Sequence, residues 1–325
     1  MHVQLHDLES YLMSAFQTER KILNTQQLRG GAQKVVYRIS CNDGFTCILY
    51  VWDPSENFVL DSSHEPGSPS DFIGASYGSE LFEYNHQYLQ QLGVRTPDVF
   101  YIDRTKSHYP FDFAIVEDVG NVDIWHYIQS CPDKKPDVLE RLNAMLQKMH
   151  DHRCDRYGQL NQVRQLQHQS DTCEHGILNW TLHDLEHLAQ HVTTIKENKD
   201  RLTEVLFTLY DKVQPRREYG LIHSELGPDH VMIDGQGEPV LIDIEGAKFF
   251  DIEYEHSFLA FRFAEHYEHL RNDRLDPNRL RFYRFHLHIS YASGPIEIIE
   301  RGFPDADSMR RIMDSNVEAT LCFLE

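Results

Sequence analysis

Leu221-Ile222-His223-Ser224-Glu225-Leu226-Gly227-Pro228-Asp229-His230-Val231-Met232-Ile233-Asp234, followed by Val240-Leu241-Ile242-Asp243-Ile244-Glu245, decides how this chain folds. Each half begins with a short apolar run of the kind a buried strand needs and ends in acidic residues. The pattern delivers Glu225 and Asp243 at the C-terminal ends of two strand-like segments. Phosphoryl transfer needs such a pair: one carboxylate orients or deprotonates the acceptor hydroxyl, and a second holds the magnesium that bridges the phosphates. Magnesium prefers oxygen ligands and keeps several waters, so one or two protein carboxylates suffice.

These residues resemble the aminoglycoside phosphotransferase family, whose catalytic loop reads H-G-D-x-x-x-x-N and whose metal strand reads I-D-[WFY]-E. The resemblance implies that His223 and Glu225 are catalytic, standing at the family histidine and aspartate, and that His230 and Asp243 hold the metal. Three departures stand out: Ser224 replaces a glycine, Glu225 an aspartate and His230 an asparagine. The serine adds only a small side chain, the glutamate keeps its carboxylate one methylene further out, and histidine is also used at this place in the macrolide-phosphorylating branch. His223 in a packed loop is read as organising it through hydrogen bonds rather than transferring protons. Phe113 to Val119 looks like the family's interlobe linker, implying adenine contacts at Glu117 and Val119. Leu146 to His150 and Tyr157 to Leu160 look like the helix end and turn before the catalytic loop. Glu245, Asp251 and Glu255 resemble the acids that face the acceptor.

The nucleotide side departs further. Leu28-Arg29-Gly30-Gly31-Ala32-Gln33-Lys34 sits where a phosphate-covering loop belongs, since glycine lets backbone amides approach phosphates without a Cβ in the way. A plain hairpin turn explains two glycines equally well. Tyr50 stands where the family generally has a phosphate-contacting lysine or arginine, so the usual lysine–glutamate pair cannot form. Its helical partner would be Glu83 or Glu80, and Lys34 or Arg38 is left to supply the missing charge.

Outward from these motifs, Leu5, Leu8, Leu12 and Met13 predict an opening amphipathic helix, and Val35 to Trp52 a hairpin about Asn42-Asp43-Gly44. Residues 53 to 78 read as a loop, Glu80 to Leu92 as a helix ended by Gly93 and Pro97, then Val99 to Ile102 and Phe111 to Val116 as strands. Helical periodicity follows over Val138 to His150, Leu178 to His191, Arg201 to Val213 and three segments after residue 254, interrupted by the apolar runs Tyr219 to Ile222 and Pro239 to Ile242, read as one inserted hairpin. The expected fold is α+β, bilobal and protein-kinase-like: residues 1–117 carry an antiparallel sheet with helices, residues 118–325 a larger, mostly helical lobe, and the linker lies near 114–121. Tyr254, Phe258, Phe261 and Phe263 read as core. His183, His187 and His191 share a helical face, but the third is two turns from the first, so a solvated face is the better reading than a zinc site.

The 325 residues are 41% hydrophobic, enough for a sizeable core. With 31 Lys plus Arg against 51 Asp plus Glu, the formal charge of -20 argues against a nucleic-acid or anionic-membrane partner. The charge, with Asp251, Glu253 and Glu255 beyond the metal strand, suits a cationic acceptor, although solubility alone also explains it. Six cysteines without a C-x-x-C pair read as reduced cytosolic thiols, and no stretch approaches the roughly 18 apolar residues of a membrane span. The expectation is a cytoplasmic enzyme using ATP, with GTP as the alternative, and Mg²⁺ to phosphorylate a small molecule, an antibiotic among the candidates. The alternatives are a metabolic kinase for choline, homoserine, sugars or fructosamine-like adducts, and an impaired pseudokinase serving as an interaction module.

Overall fold

Along Val35–Cys41 (β2) buried and half-buried side chains alternate, whereas Thr46–Trp52 (β3) is buried on both faces after its first residue. A strand covered on both sides belongs inside a sheet. With Ile22–Leu28 (β1), Val99–Asp103 (β4) and Asp112–Glu117 (β5), these strands form an antiparallel sheet of order β1-β2-β3-β5-β4. The period of two then separates two cores. Cys47, Leu49 and Val51 pack with Leu8 and Leu12 of Leu5–Phe16 (α1), while Ile48, Tyr50 and Trp52 pack with Phe82 and Leu89 of Ser79–Gln91 (α2) in the core that continues into the second lobe. This computed structural model is described over residues 2–28, 31–59, 76–163, 165 and 172–325. Gly30 and most of the loop read over 53 to 78 lie outside the described residues.

The second lobe is mainly helical: Ile124–Ser130 (α3), Lys135–His150 (α4), Cys173–His191 (α5), Thr193–Tyr210 (α6), Ile252–Phe263 (α7), Pro277–Glu300 (α8) and Ala306–Leu321 (α9). Helix ends are capped as the sequence allows: Asp123 accepts from the His126 amide at 2.8 Å and Asp276 from the Asn278 amide at 2.8 Å. The apolar runs expected to form one hairpin do not pair with each other. Tyr219–Ile222 (β8) lies between Arg153–Cys154 (β6) and Lys248–Phe250 (β11), which also pairs with Gly158–Gln159 (β7). Pro239–Leu241 (β10) pairs instead with Val231–Ile233 (β9). The intervening loop supplies its own strand partner, so the two acidic ends emerge from different sheets.

Buried histidines leave a pH signature. Thr181 Oγ1 donates to the Ile177 carbonyl at 2.6 Å and so accepts from His286 Nδ1 at 2.9 Å, which leaves His286 Nε2 buried without a partner. Burial lowers the pKa of His286 to about 3; burial, with His150 adding to it, lowers that of His256 to about 4. Both rings stay neutral in the folded chain, whereas unfolded histidine protonates near 6.5. Stability is therefore full above about pH 6.5 and falls as pH drops toward 4. His286→Asn, which keeps a donor for Thr181 but does not titrate, should flatten that slope in urea unfolding measured across pH; an unchanged slope would assign the titration to other groups. Phe82→Ala should lower stability by about 3–5 kcal/mol in the same assay.

Candidate active site

The loop between β8 and β9 is held from beneath by the first turn of α7. Glu255, fully buried, accepts the backbone N–H groups of His223 at 2.6 Å and Ser224 at 3.1 Å through Oε1, and its Oε2 lies 2.6 Å from His150 Nε2. Burial opposes its charge, but the contact with His150 and the loop amides outweigh it and hold its pKa below the ordinary glutamate value. Two successive amides can converge on one oxygen because Ser224 has φ +80°. That left-handed backbone explains the family glycine here, and a serine in its place carries strain of about 1–2 kcal/mol, partly offset by its Oγ donating to the Gly246 carbonyl at 3.0 Å. His223 Nε2 donates to the Ile242 carbonyl at 2.9 Å and Nδ1 is buried without a partner, so this ring ties the loop to the residue before Asp243. Burial, and then His230, lower its pKa.

Glu225 is thereby turned outward into the cleft. Desolvation there and the nearby Asp243 charge raise its pKa, with His230, Lys248 and Arg262 opposing. His230 Nδ1 donates to the Glu225 carbonyl at 2.8 Å, which fixes the tautomer and leaves the Nε2 lone pair 3.7 Å from Asp243 Oδ2. Asp243 follows β10 in a left-handed conformation, φ +59° and ψ 46°. Its Oδ1 and Glu245 Oε1 both accept from Lys34 Nζ at 2.6 Å. Burial works against Asp243's charge, yet Lys34 and His230 hold its pKa below the usual range; burial raises that of Glu245, whose Oε2 has no partner.

The nucleotide side is assembled differently from expectation. Lys34 Nζ lies 5.0 Å from the centre of the Tyr50 ring, and burial pushes the Tyr50 phenol up to about 12. The residue of α2 that faces Tyr50 is Phe82, with ring centroids 5.5 Å apart. Glu83 instead binds Arg104 at 2.7 Å, and Glu80 is exposed, so neither forms a helix-to-strand ion pair. Arg38 is committed to Asp118 at 2.9 Å, which leaves Lys34 as the cation on the acids. A Cβ on Gly31 would stand 2.5 Å from the Lys34 carbonyl, so the tight return into β2 requires glycine there. Glu117 closes β5 with its side chain on Arg95 at 2.6 and 2.7 Å, and Val119 follows half-buried.

The acids assigned to the acceptor are held by groups of the protein itself. Asp251 is buried and bonded to Arg279, to Tyr283 at 2.5 Å and to Arg216 at 3.4 Å; Glu253 takes Arg216 at 2.6 and 2.9 Å; Glu255 serves the loop; Glu245 meets Lys34. Their mutual repulsion is offset by protein cations, not by a ligand. Arg279 also fills the space between Cys173, Glu174 and Asp251 that could otherwise hold a metal ion. In the histidine-rich helix, His187 turns inward to Ser293 at 2.8 Å, while His191 stays exposed. Two contributors escaped the sequence reading. Asn85 donates from α2 to the carbonyls of Ile244 at 2.9 Å and Glu245 at 3.1 Å, and Lys248, buried, has its pKa lowered by burial to about 8 against the pull of Glu225. An amide in a helix and a lysine in a strand carry no signal of such roles.

A family model described as the phosphotransferase enzyme family matches residues 80–290. No curated protein matches in sequence. Among solved structures, a thermostable mutant of the aminoglycoside phosphotransferase APH(4)-Ia is 17% identical with a TM-score of 0.59, covering 96% of this chain and 98% of that one. Spectinomycin phosphotransferase APH(9)-Ia, in complex with ADP and spectinomycin, is 13% identical with a TM-score of 0.64 over 99% of both chains. Choline kinase LicA from Streptococcus pneumoniae is 13% identical with a TM-score of 0.62 over 98% of both. These likenesses fix the fold as bilobal and kinase-like. No helix among the described residues is long and apolar enough to cross a membrane.

Replacing Asp251 by Asn should leave Arg279 buried beside a neutral amide and lower stability by about 3–5 kcal/mol. Nucleotide affinity of the folded fraction should be unchanged. Urea unfolding and titration with ATP measure the two separately, and a loss of affinity without a loss of stability would return Asp251 to the binding site.

Proposed function

The chain belongs to the phosphotransferase enzyme family, and we propose that it transfers the γ-phosphoryl group of ATP, with GTP as the alternative donor, to a hydroxyl of a small molecule. The observation that carries this reading is the junction at the cleft: His230 binds the Glu225 carbonyl with one nitrogen and points the other toward Asp243, whose second oxygen meets Lys34. Glu225 is the base that orients or takes the acceptor proton, and His223 keeps its loop in register. The divalent ion, Mg²⁺ by the chemistry of phosphates, would be held by Asp243 and His230. His230 Nε2 and Asp243 Oδ2 lie 3.7 Å apart, so both donors stand together at the cleft. When bound, the ion neutralises charge on the transferring phosphates. The loop at Gly31, with Lys34, Tyr50 and the strand end at Glu117 and Val119, borders the nucleotide; the exposed side of Glu225 takes the acceptor.

The acceptor we favour is a hydroxyl-bearing amine, now supported by the net charge of -20 alone, since the acids beyond the metal strand are spent on internal cations. Aminoglycosides, choline-like amines and neutral sugars or macrolides form the screen, and the Michaelis constant of the best amine should rise with salt. A best acceptor that is neutral, or a constant flat in salt, would remove the charge argument. The Tyr50–Phe82 contact favours one second reading, a nucleotide-binding module without turnover, which predicts magnesium-dependent ATP binding and no phosphorylated product with any acceptor.

Asp243→Asn should abolish turnover, a loss of about 10²-fold or more, while the protein stays folded by thermal melting. Glu225→Gln should lower kcat by about 10²–10⁴-fold with little change in ATP affinity. Because the Glu225 pKa is raised above its ordinary 4.5, the acid limb of kcat/KM should fall above that pH and vanish in the variant. His230→Asn should be tolerated much better than His230→Ala, and equal kinetics for the two would exclude metal ligation.

A further inference from the structure

We infer that Lys34 is an exchangeable counter-ion: without nucleotide it occupies the metal carboxylates, and on nucleotide binding it passes to the phosphates and releases them to the divalent ion. This deepens the phosphotransferase reading and rests on it. The position from which strand β3 would offer a cation is Tyr50, sealed against Phe82 and Trp52 by ring contacts at 5.5 and 5.9 Å. Arg38, Arg95, Arg104 and Arg262 are each engaged elsewhere, on Asp118, Glu117, Glu83 and Asp229. Among the described residues, Lys34 is the cation bonded to both Asp243 and Glu245, and it reaches them from the opposite lobe across the cleft.

Three features make it exchangeable rather than fixed. Its stem leaves the chain three residues after Gly31, beside the loop that the resemblance assigns to the phosphates. The face of the Tyr50 ring, 5.0 Å from the ammonium, is a neutral neighbour that attracts a cation without fixing it as a carboxylate does. Glu245 Oε2, buried and unpartnered, shows that the lysine satisfies the acids only in part and that the pocket retains an unused oxygen. A divalent ion and an ammonium held by the same carboxylate repel each other, so each weakens the other's hold on Asp243. The phosphates supply the alternative anion, and metal binding should therefore follow nucleotide binding.

The test uses the full chain with Mn²⁺ alone, metal-free ATP in a chelator, and adenosine, each titrated calorimetrically. Lys34→Met should tighten Mn²⁺ binding to the nucleotide-free protein at least tenfold and weaken metal-free ATP at least tenfold, while adenosine changes less than twofold. Lys34→Met with Tyr50→Lys, which returns an ammonium to the pocket, should reverse both shifts in part. Lys34→Gln, which still donates to the carboxylates, gives the same two readings if the Met variant does not fold. Unchanged Mn²⁺ and ATP affinities in a folded neutral variant would overturn the proposal. A wild-type protein that binds no nucleotide would overturn the phosphotransferase reading instead, and the Mn²⁺ titration would still report whether Lys34 occupies the acids.

Discussion

Everything at the cleft floor depends on one carboxylate that never meets solvent. Glu255 receives from His150 and from the amides of His223 and Ser224 the stabilisation that water would otherwise give it. Successive amides aimed at one oxygen form an anion nest, and such a nest needs left-handed backbone at one of its residues, here Ser224. The next residue, Glu225, is then thrown outward. Glu225 is exposed because Glu255, on α7, is not.

The first lobe grips the second at the turn after Asp243. The left-handed Asp243 begins a single helical turn whose carbonyls at Ile244 and Glu245 lean toward α2, where Asn85 takes them. The Leu241 amide donates to the Arg95 carbonyl at 3.0 Å just before that turn. Lys34 adds a charged contact from the residue just before β2. Backbone, amide and ammonium from three separate elements thus converge on five residues, and the acids of the metal strand sit at the seam between lobes rather than within either.

The acidic segments after β8 and β10 were legible because apolar runs ending in acids leave a dense local signature, and Lys34 was one of two cations named for the vacancy at Tyr50. What was not legible depends on distant partners. Strand β1 has an exposed edge pattern without alternation, so Ile22–Leu28 gave no period to read. The pairing of β8 with β11 and of β10 with β9 joins segments whose apolar content is alike, and composition cannot choose among them. Asp251 and Glu253 look like ligand-facing acids until Arg216 and Arg279, the latter from α8, arrive beside them. Phe82 reads as one more core aromatic, and only the facing of helix and strand shows that it meets Tyr50, where the resemblance implies an ion pair.

That substitution limits how the chain can be governed. A helix held to its sheet by opposite charges can be released by a competing ion, a neighbouring phosphate or a proton, because each offers the charges another partner. Two interlocked rings offer no such handle, and parting them would open an aromatic-sized void in the interlobe core. The Tyr50–Phe82 contact is consequently insensitive to the chemical signals that act on electrostatic hinges, and the response of α2 to such signals is left to charged contacts at its rim, such as that of Glu83 with Arg104.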